Sequence, residues 1–301
     1  PVERFAVYHA ATARQRRQSL NSEFRLWGLE NEEIERLGAA ILAVVAEPLS
    51  AEEIAAQLPP EASRELSQTS RGGRISTTSP VVQALRWLTA TAQLATGPEP
   101  ATATDWRSKG RRYAPLTTWY PTLDLSDVPD EATAQTSLVR DYLTAFGPAS
   151  EADISFWSGF GKSETARAVN ALSRETTLAL VEGIPGMMLL LKSQAEALAG
   201  FELPAEPAVN LLPADDPFST AHRASRSRYF PDQSWQRQVF ASSGAAKPTI
   251  TVNGQIVGVW QLPTAESPLS WHLLGEDLPL TQIQPRLAVE IERVRAWLGQ
   301  V

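Results

Sequence analysis

Residues 48–54 read PLSAEEI, and one hundred positions later residues 148–154 read PASEADI. Each copy sets out a proline, a serine two positions on, an acidic residue three positions after that serine, and then an isoleucine. Ser50 with Glu53 and Ser150 with Asp153 have the spacing of a capping box, in which hydroxyl and carboxylate satisfy each other's backbone N–H groups at a helix start. Ile54 and Ile154 then fall where a capped helix first turns an apolar residue to a core. Each copy follows a segment of helical apolar period, 32–45 in the first case and 136–146 in the second. A chain that repeats this order is expected to fold as two related helical units.

The second copy has the clearest surroundings. Gly161-Lys162-Ser163 leads into a helical pattern and could end a phosphate-binding loop, but that loop needs glycine five positions before the Gly-Lys pair, and Phe156 stands there. The residues before it read as a helix rather than the buried strand such a loop requires, so a P-loop NTPase is excluded. What remains is a helix over 136–146, a break at Gly147-Pro148, a short helix carrying Ile154 and Trp157, and a glycine turn at 159–161. A third helix follows, capped by Ser163, with Ala166, Val169 and Leu172 as its apolar stripe. Two apolar runs, 177–182 and 187–191, flank Gly183-Ile184-Pro185-Gly186 and read as a hairpin. Three helices with the third in the recognition position, then two strands, is the layout of a winged helix-turn-helix. A trihelical bundle shares the helical part of that pattern.

In the first copy a third helix is expected over 81–91, and a hairpin from 94–97 with 112–118. The insertion 58–78 holds two prolines, two glycines and many hydroxyls and reads as a loop. The last third differs in kind. PTITVNGQIVGVW at 248–260 alternates around Asn253-Gly254, a strong short hairpin signal. A strand over 269–274 and a closing helix over 280–298, regular from Pro285, complete it. The expected class is α+β: tandem winged helix-turn-helix units and a β-rich, barrel-like C-terminal module. The expected boundaries are 1–123 for the first unit with its N-terminal helical segment, 124–204 for the second, and 205–301 for the β-rich module.

Charge bears on partners. The chain carries a formal −7 and a pI near 5.2, so no global basic field draws it to nucleic acid. With no cysteine there are no disulfides and no thiol-based metal or nucleophile sites, which fits a cytoplasmic protein. The most hydrophobic runs, such as AILAVVA at 40–46, are far short of a membrane span, and no secretory signal is visible. The chain opens on proline rather than methionine, as a processed or partial chain would.

Positive charge is instead local. Arg107, Lys109, Arg111 and Arg112 fall in the expected wing of the first copy; His222, Arg223, Arg226 and Arg228 form a second cluster, and Arg14, Arg16 and Arg17 lie near the start. Arginine forks on exposed loops suit phosphate oxygens, while solvated loops paired with an acidic surface would look the same. The third helix of the second copy offers Lys162, Thr165, Arg167, Asn170 and Arg174 away from its stripe, and asparagine and arginine can read base edges; Glu164 and Glu175 dilute that face. Asp215-Asp216 is the one adjacent carboxylate pair that looks poised. Asp216-Pro217 also fits an N-cap followed by proline at the first helical position, which is the better reading of Asp216 than a catalytic carboxylate. His9, His222 and His272 show no metal-ligand spacing, so no metal, nucleotide or other cofactor is expected. Trp157 and Trp260 sit at core positions in their patterns; for Trp106 and Trp119 burial is a better reading than stacking on a base.

YLTAFGPASEADISFWSG at 142–159, LLPADDPFSTAHR at 211–223 and SSGAAKPTITVNGQIVGVW at 242–260 together resemble the bacterial tandem winged-helix DNA-binding family that includes the AlkZ-type DNA glycosylases. The resemblance runs along essentially the whole chain. It implies winged helices around a barrel-like C-terminal part, a concave surface gathering residues 107–112 and 222–228, and duplex DNA, damaged or intact, as partner. Glycosylases of the family excise alkylated purines and unhook interstrand crosslinks. The opening PVERFAVYHAATA is similar to a segment that follows an N-terminal winged helix in that family, which carries a glutamine–apolar–glutamine motif that positions the attacking water. Here that string occurs only at Gln282-Ile283-Gln284, beside a proline near the end, and reads as coincidence. Three readings follow: a DNA-binding protein without chemistry in this chain, a DNA glycosylase hydrolysing the N-glycosidic bond of alkylated purines, and a protein-interaction scaffold.

Overall fold

A computed structural model describes residues 2–69, 72–98, 110–125, 128–263, 267–275 and 280–299. The chain divides into two compact units, Pro1–Ala134 and Gln135–Val301.

The first unit begins with helices α1 (Phe5–Ala11), α2 (Ala13–Leu26) and α3 (Asn31–Val44). α3 turns Ile34, Gly38 and Ile41 inward, a stripe of helical period. α4 (Ala51–Ala55) carries the first capping box: the Ser50 hydroxyl accepts from Glu53 N, and Ser50 N donates to Glu53 Oε2 at 2.7 Å. Next come strands β1 (Leu66–Thr69) and β2 (Ile75–Thr78), paired antiparallel from Leu66↔Thr78 to Thr69↔Ile75. The insertion expected to be a loop therefore holds a hairpin. Its hydroxyl-rich composition suggested loop, but Thr and Ile are strand formers, and Gly73 supplies the positive φ of 76° that its turn uses.

Helix α5 (Pro80–Ala90) buries Val81, Ala84, Leu85 and Leu88 against α3. An added Cβ on Gly38 would lie 2.5 Å from the Trp87 ring, so glycine is what lets α3 and α5 approach. Strands β3 (Leu94–Pro98) and β4 (Arg111–Pro115) pair as expected, but residues 116–118 do not extend β4. They enter the short helix α6 (Leu116–Trp119), since Pro115 has no N–H to continue a ladder. Trp119 is half-buried, its ring closing over Gly97.

In the second unit α7 (Glu131–Phe146), α8 (Glu151–Ser158) and α9 (Lys162–Ala171) precede strands β5 (Thr176–Leu180) and β6 (Met187–Leu191). The repeat extends beyond the caps. Leu49 bridges Tyr113 on the second hairpin strand of its copy, and Ala149 bridges Leu189 on the second strand of the other. Gly159, at φ 73°, ends α8. The cap of α9 is Gly161 rather than Ser163: Gly161 N donates to Glu164 Oε2 at 2.8 Å, so the acidic residue fixes the helix start two residues ahead of the hydroxyl. The buried stripe is Thr165, Ala168, Val169 and Leu172, with Ala166 only half-buried.

The rest of the unit is α10 (Lys192–Ala199), β7 (Val209–Leu212), α11 (Pro217–Thr220), α12 (Gln236–Val239), β8 (Thr249–Val252), β9 (Gln255–Gln261), β10 (Ser270–Leu273) and α13 (Leu280–Gly299). Asn253 and Gly254 join β8 to β9 with φ of 48° and 79°, the paired positive angles of a mirror-image hairpin turn. The sheet runs β10-β9-β8-β7 and is open: no closed barrel forms among the described residues, because four short strands do not curl far enough to meet and α13 packs on the edge strand β7 instead. α13 starts at Leu280, where the closing helix was expected, and is helical on both sides of Pro285 rather than regular only from it. Trp260 is buried, with Nε1 donating to the Leu212 carbonyl at 2.8 Å. Trp157 is not a core residue; it is 37 % exposed and lies 4.9 Å, centroid to centroid, from the Tyr142 ring.

Candidate nucleic-acid interface

Asp153 closes the second capping box and then reaches further. Its Oδ2 accepts from Ser150 N at 3.2 Å and from the Ser150 and Ser225 hydroxyls at 2.7 Å each. Its Oδ1 accepts from three successive backbone N–H groups, Arg223 at 2.9 Å, Ala224 at 2.7 Å and Ser225 at 3.1 Å. The carboxylate is wholly buried, and burial pushes its pKa up, but the hydrogen bonds from Ser150 and Ser225 outweigh burial and hold it below the usual carboxylate range. One side chain thus caps α8 and pins the backbone of residues 223–225.

The flanks of that segment are fixed as well. His222 is 3 % exposed, with Nε2 2.9 Å from the Phe146 carbonyl and Nδ1 2.5 Å from the Tyr229 hydroxyl. A carbonyl only accepts, so the imidazole proton sits on Nε2 and the tyrosine donates to Nδ1. Burial, then the Arg228 charge, pushes the His222 pKa down to about 4, so it is neutral at pH 7. The Tyr142 hydroxyl donates to the Ala221 carbonyl at 2.8 Å. Arg228 turns inward, donating to the Pro148 carbonyl at 2.8 Å and to the Ser225 hydroxyl at 3.0 Å. His222 and Arg228, both expected at phosphates, are instead parts of the brace: the ring is neutral and buried, and the guanidinium turns its Nη groups to protein acceptors while its Nε–H is buried without a partner.

Arg223 and Arg226 remain outward. Arg223 is exposed, with Cζ 5.0 Å from the Phe156 ring centroid, and Arg226 is half-buried, with Cζ 4.4 Å from that of Phe240. Burial first, and the Arg223 charge second, pull the Arg226 pKa below its ordinary value, so the two cations feel each other. Neither pairs with a carboxylate among the described residues. Two like charges held near one another without a counter-ion attract an anion. Phe156 and Phe240 were not picked out as site residues in the sequence; only the arginines carried a signal, because ring and guanidinium meet across the fold.

The other expected contacts divide. On α9, Lys162 and Asn170 are exposed, while Arg167 donates to Gln135 Oε1 at 2.5 Å; Arg174, expected on the same helix, is exposed in the turn that follows it. Thr165 is 2 % exposed and lies in the core stripe, one helical step from where it was expected, so it cannot meet a base edge. In the first unit Arg111 is exposed, whereas Arg112 donates to Glu53 Oε2 at 2.8 Å and the Pro48 carbonyl at 3.1 Å. Arg107 and Lys109, like Trp106, lie outside the described residues. Asp216 caps α11, its Oδ1 accepting from Phe218 N at 2.8 Å, and Asp215 Oδ1 accepts from Ala246 N at 2.7 Å. Both carboxylates of that pair hold backbone.

A sequence model of the family described as DNA glycosylase AlkZ-like matches residues 1–297. The chain belongs to the AlkZ-like family. Among solved structures, the DNA glycosylase AlkZ of Streptomyces sahachiroi matches with a TM-score of 0.68 at 18 % identity, covering 99 % of this chain and 75 % of that one. At that identity the likeness is one of fold. No curated protein matches the chain. Among the described residues, no helix is long and apolar enough to cross a membrane.

Proposed function

We propose that this AlkZ-like chain binds duplex DNA through two winged helices and acts on alkylated or crosslinked DNA. Each copy runs helix, capped short helix, third helix, two-stranded hairpin, with α5 and α9 in the recognition position and the hairpins β3–β4 and β5–β6 as wings. The observation that carries the reading is the pair Arg223 and Arg226. Their backbone is held by a buried carboxylate, their guanidinium groups lie over aromatic rings, and their charge is unspent. Arginines so presented donate to phosphate oxygens and fix the register of a protein on a duplex. Lys162 and Asn170 on α9, Arg174 in the turn after it and Arg111 on the first wing supply further contacts.

Hydrolysis of the N-glycosidic bond of an alkylated purine is the second reading, favoured by the match to the family over 1–297. Asp153 is buried on backbone N–H groups, and Asp215 and Asp216 each hold a backbone N–H through Oδ1, which supports a structural reading of all three.

Anisotropy of a fluorescent duplex, with and without one N7-methylguanine, tests the proposal over a salt series. With about five phosphate contacts the log–log slope is near −4.5, and affinity falls about 500-fold from 50 to 200 mM salt. Tighter binding of the alkylated duplex, followed by alkali-labile strand breaks, would carry the second reading. No binding at 50 mM salt would overturn DNA binding and leave the scaffold reading in its place.

A further inference from the structure

The first unit holds a cavity of about 470 Å³ lined from α1, α2, α3 and α5, a size that suits small organic ligands. Leu20, Phe24, Ile34 and Trp87 form its apolar side. Phe24 and Ile34 are core residues, and Trp87 is seated against the α3 backbone at Gly38, so this wall is rigid. The polar side is made by His9, Arg16 and Arg17, and Glu35 also lines the space.

Arg16 is half-buried and bound only to neutral acceptors. Its Nε donates to the Ala90 carbonyl at 3.0 Å, Nη1 to the Thr12 hydroxyl, and Nη2 to the His9 carbonyl at 2.7 Å, with His9 Nδ1 3.0 Å away. A guanidinium has five N–H donors, so one on Nη1 is left over. No carboxylate pairs with Arg16 or Arg17 among the described residues. Because guanidinium nitrogens only donate, His9 Nδ1 is the acceptor, and the ring proton sits on Nε2, free to serve a ligand. Burial, then the Arg16 charge, holds the His9 pKa below its ordinary value, which keeps that tautomer neutral at pH 7. A charge fixed by neutral groups at the wall of a cavity keeps its attraction for something that enters.

We propose that this cavity binds a small aromatic monoanion, its ring against Phe24, Ile34 and Trp87 and its carboxylate at the Arg16 Nη1–H, Arg17 and the His9 Nε2–H. Glu35 in the same cavity disfavours a second negative charge, so a carboxylate fits better than a phosphate dianion.

The test is ligand-observed NMR with the intact chain, using 2-naphthoate, its neutral analogue 2-naphthalenemethanol, and 5′-AMP. Expected are a Kd for 2-naphthoate below about 1 mM and binding of the alcohol and of AMP at least about fivefold weaker, since one partly exposed charge contact is worth about 1 kcal/mol. Arg17→Gln, an exposed change, weakens the acid about threefold and leaves the alcohol unaltered. Glu35→Gln strengthens the acid by a similar factor. Ala13→Phe, which fills the cavity, abolishes binding with its melting temperature retained. Equal binding of acid and alcohol, tighter binding of AMP, or a Kd indifferent to both charge variants would overturn the proposal.

Discussion

The two capping boxes share one motif and have different consequences. In the first, Glu53 is exposed; the Oε2 that closes the box on Ser50 also accepts from Arg112 of the neighbouring hairpin. The Ser50 hydrogen bond and the Arg112 charge together hold its pKa below the ordinary value. In the second, Asp153 is buried and takes three backbone N–H groups from a segment about seventy positions on. Both carboxylates hold their helix starts, but only the buried Asp153 is wrapped by a remote loop, while the exposed Glu53 meets the half-buried Arg112. A repeated local motif can therefore stay local in one copy and brace a distant segment in the other.

Removing each carboxylate breaks the comparison most sharply. Asp153→Ala strands three backbone N–H groups, that of Ser225 buried, and two serine hydroxyls, and should cost about 4 kcal/mol in urea denaturation, with the 223–225 amides losing hydrogen-exchange protection. Asp153→Glu keeps the charge yet should also destabilise, by about 2 kcal/mol, because a fully buried site has no room for the extra methylene. A loss no larger than that of Glu53→Ala would remove the distinction between the copies.

His222 provides the next largest effect. Its folded pKa, about 4, lies below the ordinary 6.5, so the unfolded chain binds more protons between those values. Its contribution is complete above pH 6.5 and is lost as pH falls towards 4, by about 3 kcal/mol in total. The Asp153 contribution shares the direction but is lost in a lower window, below the ordinary carboxyl pKa. Stability measured at pH 7 and pH 4.5 for the native chain and for His222→Gln should show the variant with the shallower dependence; equal slopes would mean that the ring is not the titrating group.

What was legible in the sequence was local chemistry. Both capping boxes, the Asn253-Gly254 turn and the Asp216 cap each rest on contacts within a few residues, and their residue types state the geometry. The AlkZ-like membership was legible as well, from three stretches spread along the chain. What was not legible depends on distant partners. Nothing near Asp153 announces Arg223–Ser225, and a run of three arginines and a histidine looks uniformly basic until burial separates His222 and Arg228 from Arg223 and Arg226. Thr165 was misplaced by the phase of one helix: reading the stripe from Ala166 rather than from Thr165 turns the expected outer face by a single residue. The β1–β2 hairpin was hidden because Thr serves strands and loops alike.

The smallest effect belongs to the first copy. Glu53→Gln keeps a cap acceptor and loses only an exposed ion pair, so its denaturation midpoint should shift by an amount near the limit of measurement, and less still at high salt. A large loss would place Glu53 in the same class as Asp153.

We propose that the segment braced by Asp153 presents Arg223 and Arg226 to DNA. The most direct test compares the salt dependence of duplex binding for the native chain and for Arg223→Gln/Arg226→Gln. Each lost phosphate contact lowers the log–log slope by about 0.9, so the double variant should be shallower by about 1.8 and weaker at 50 mM salt, with an unchanged urea midpoint. Parallel lines of equal affinity would contradict the claim and leave the brace a structural feature with no part in binding.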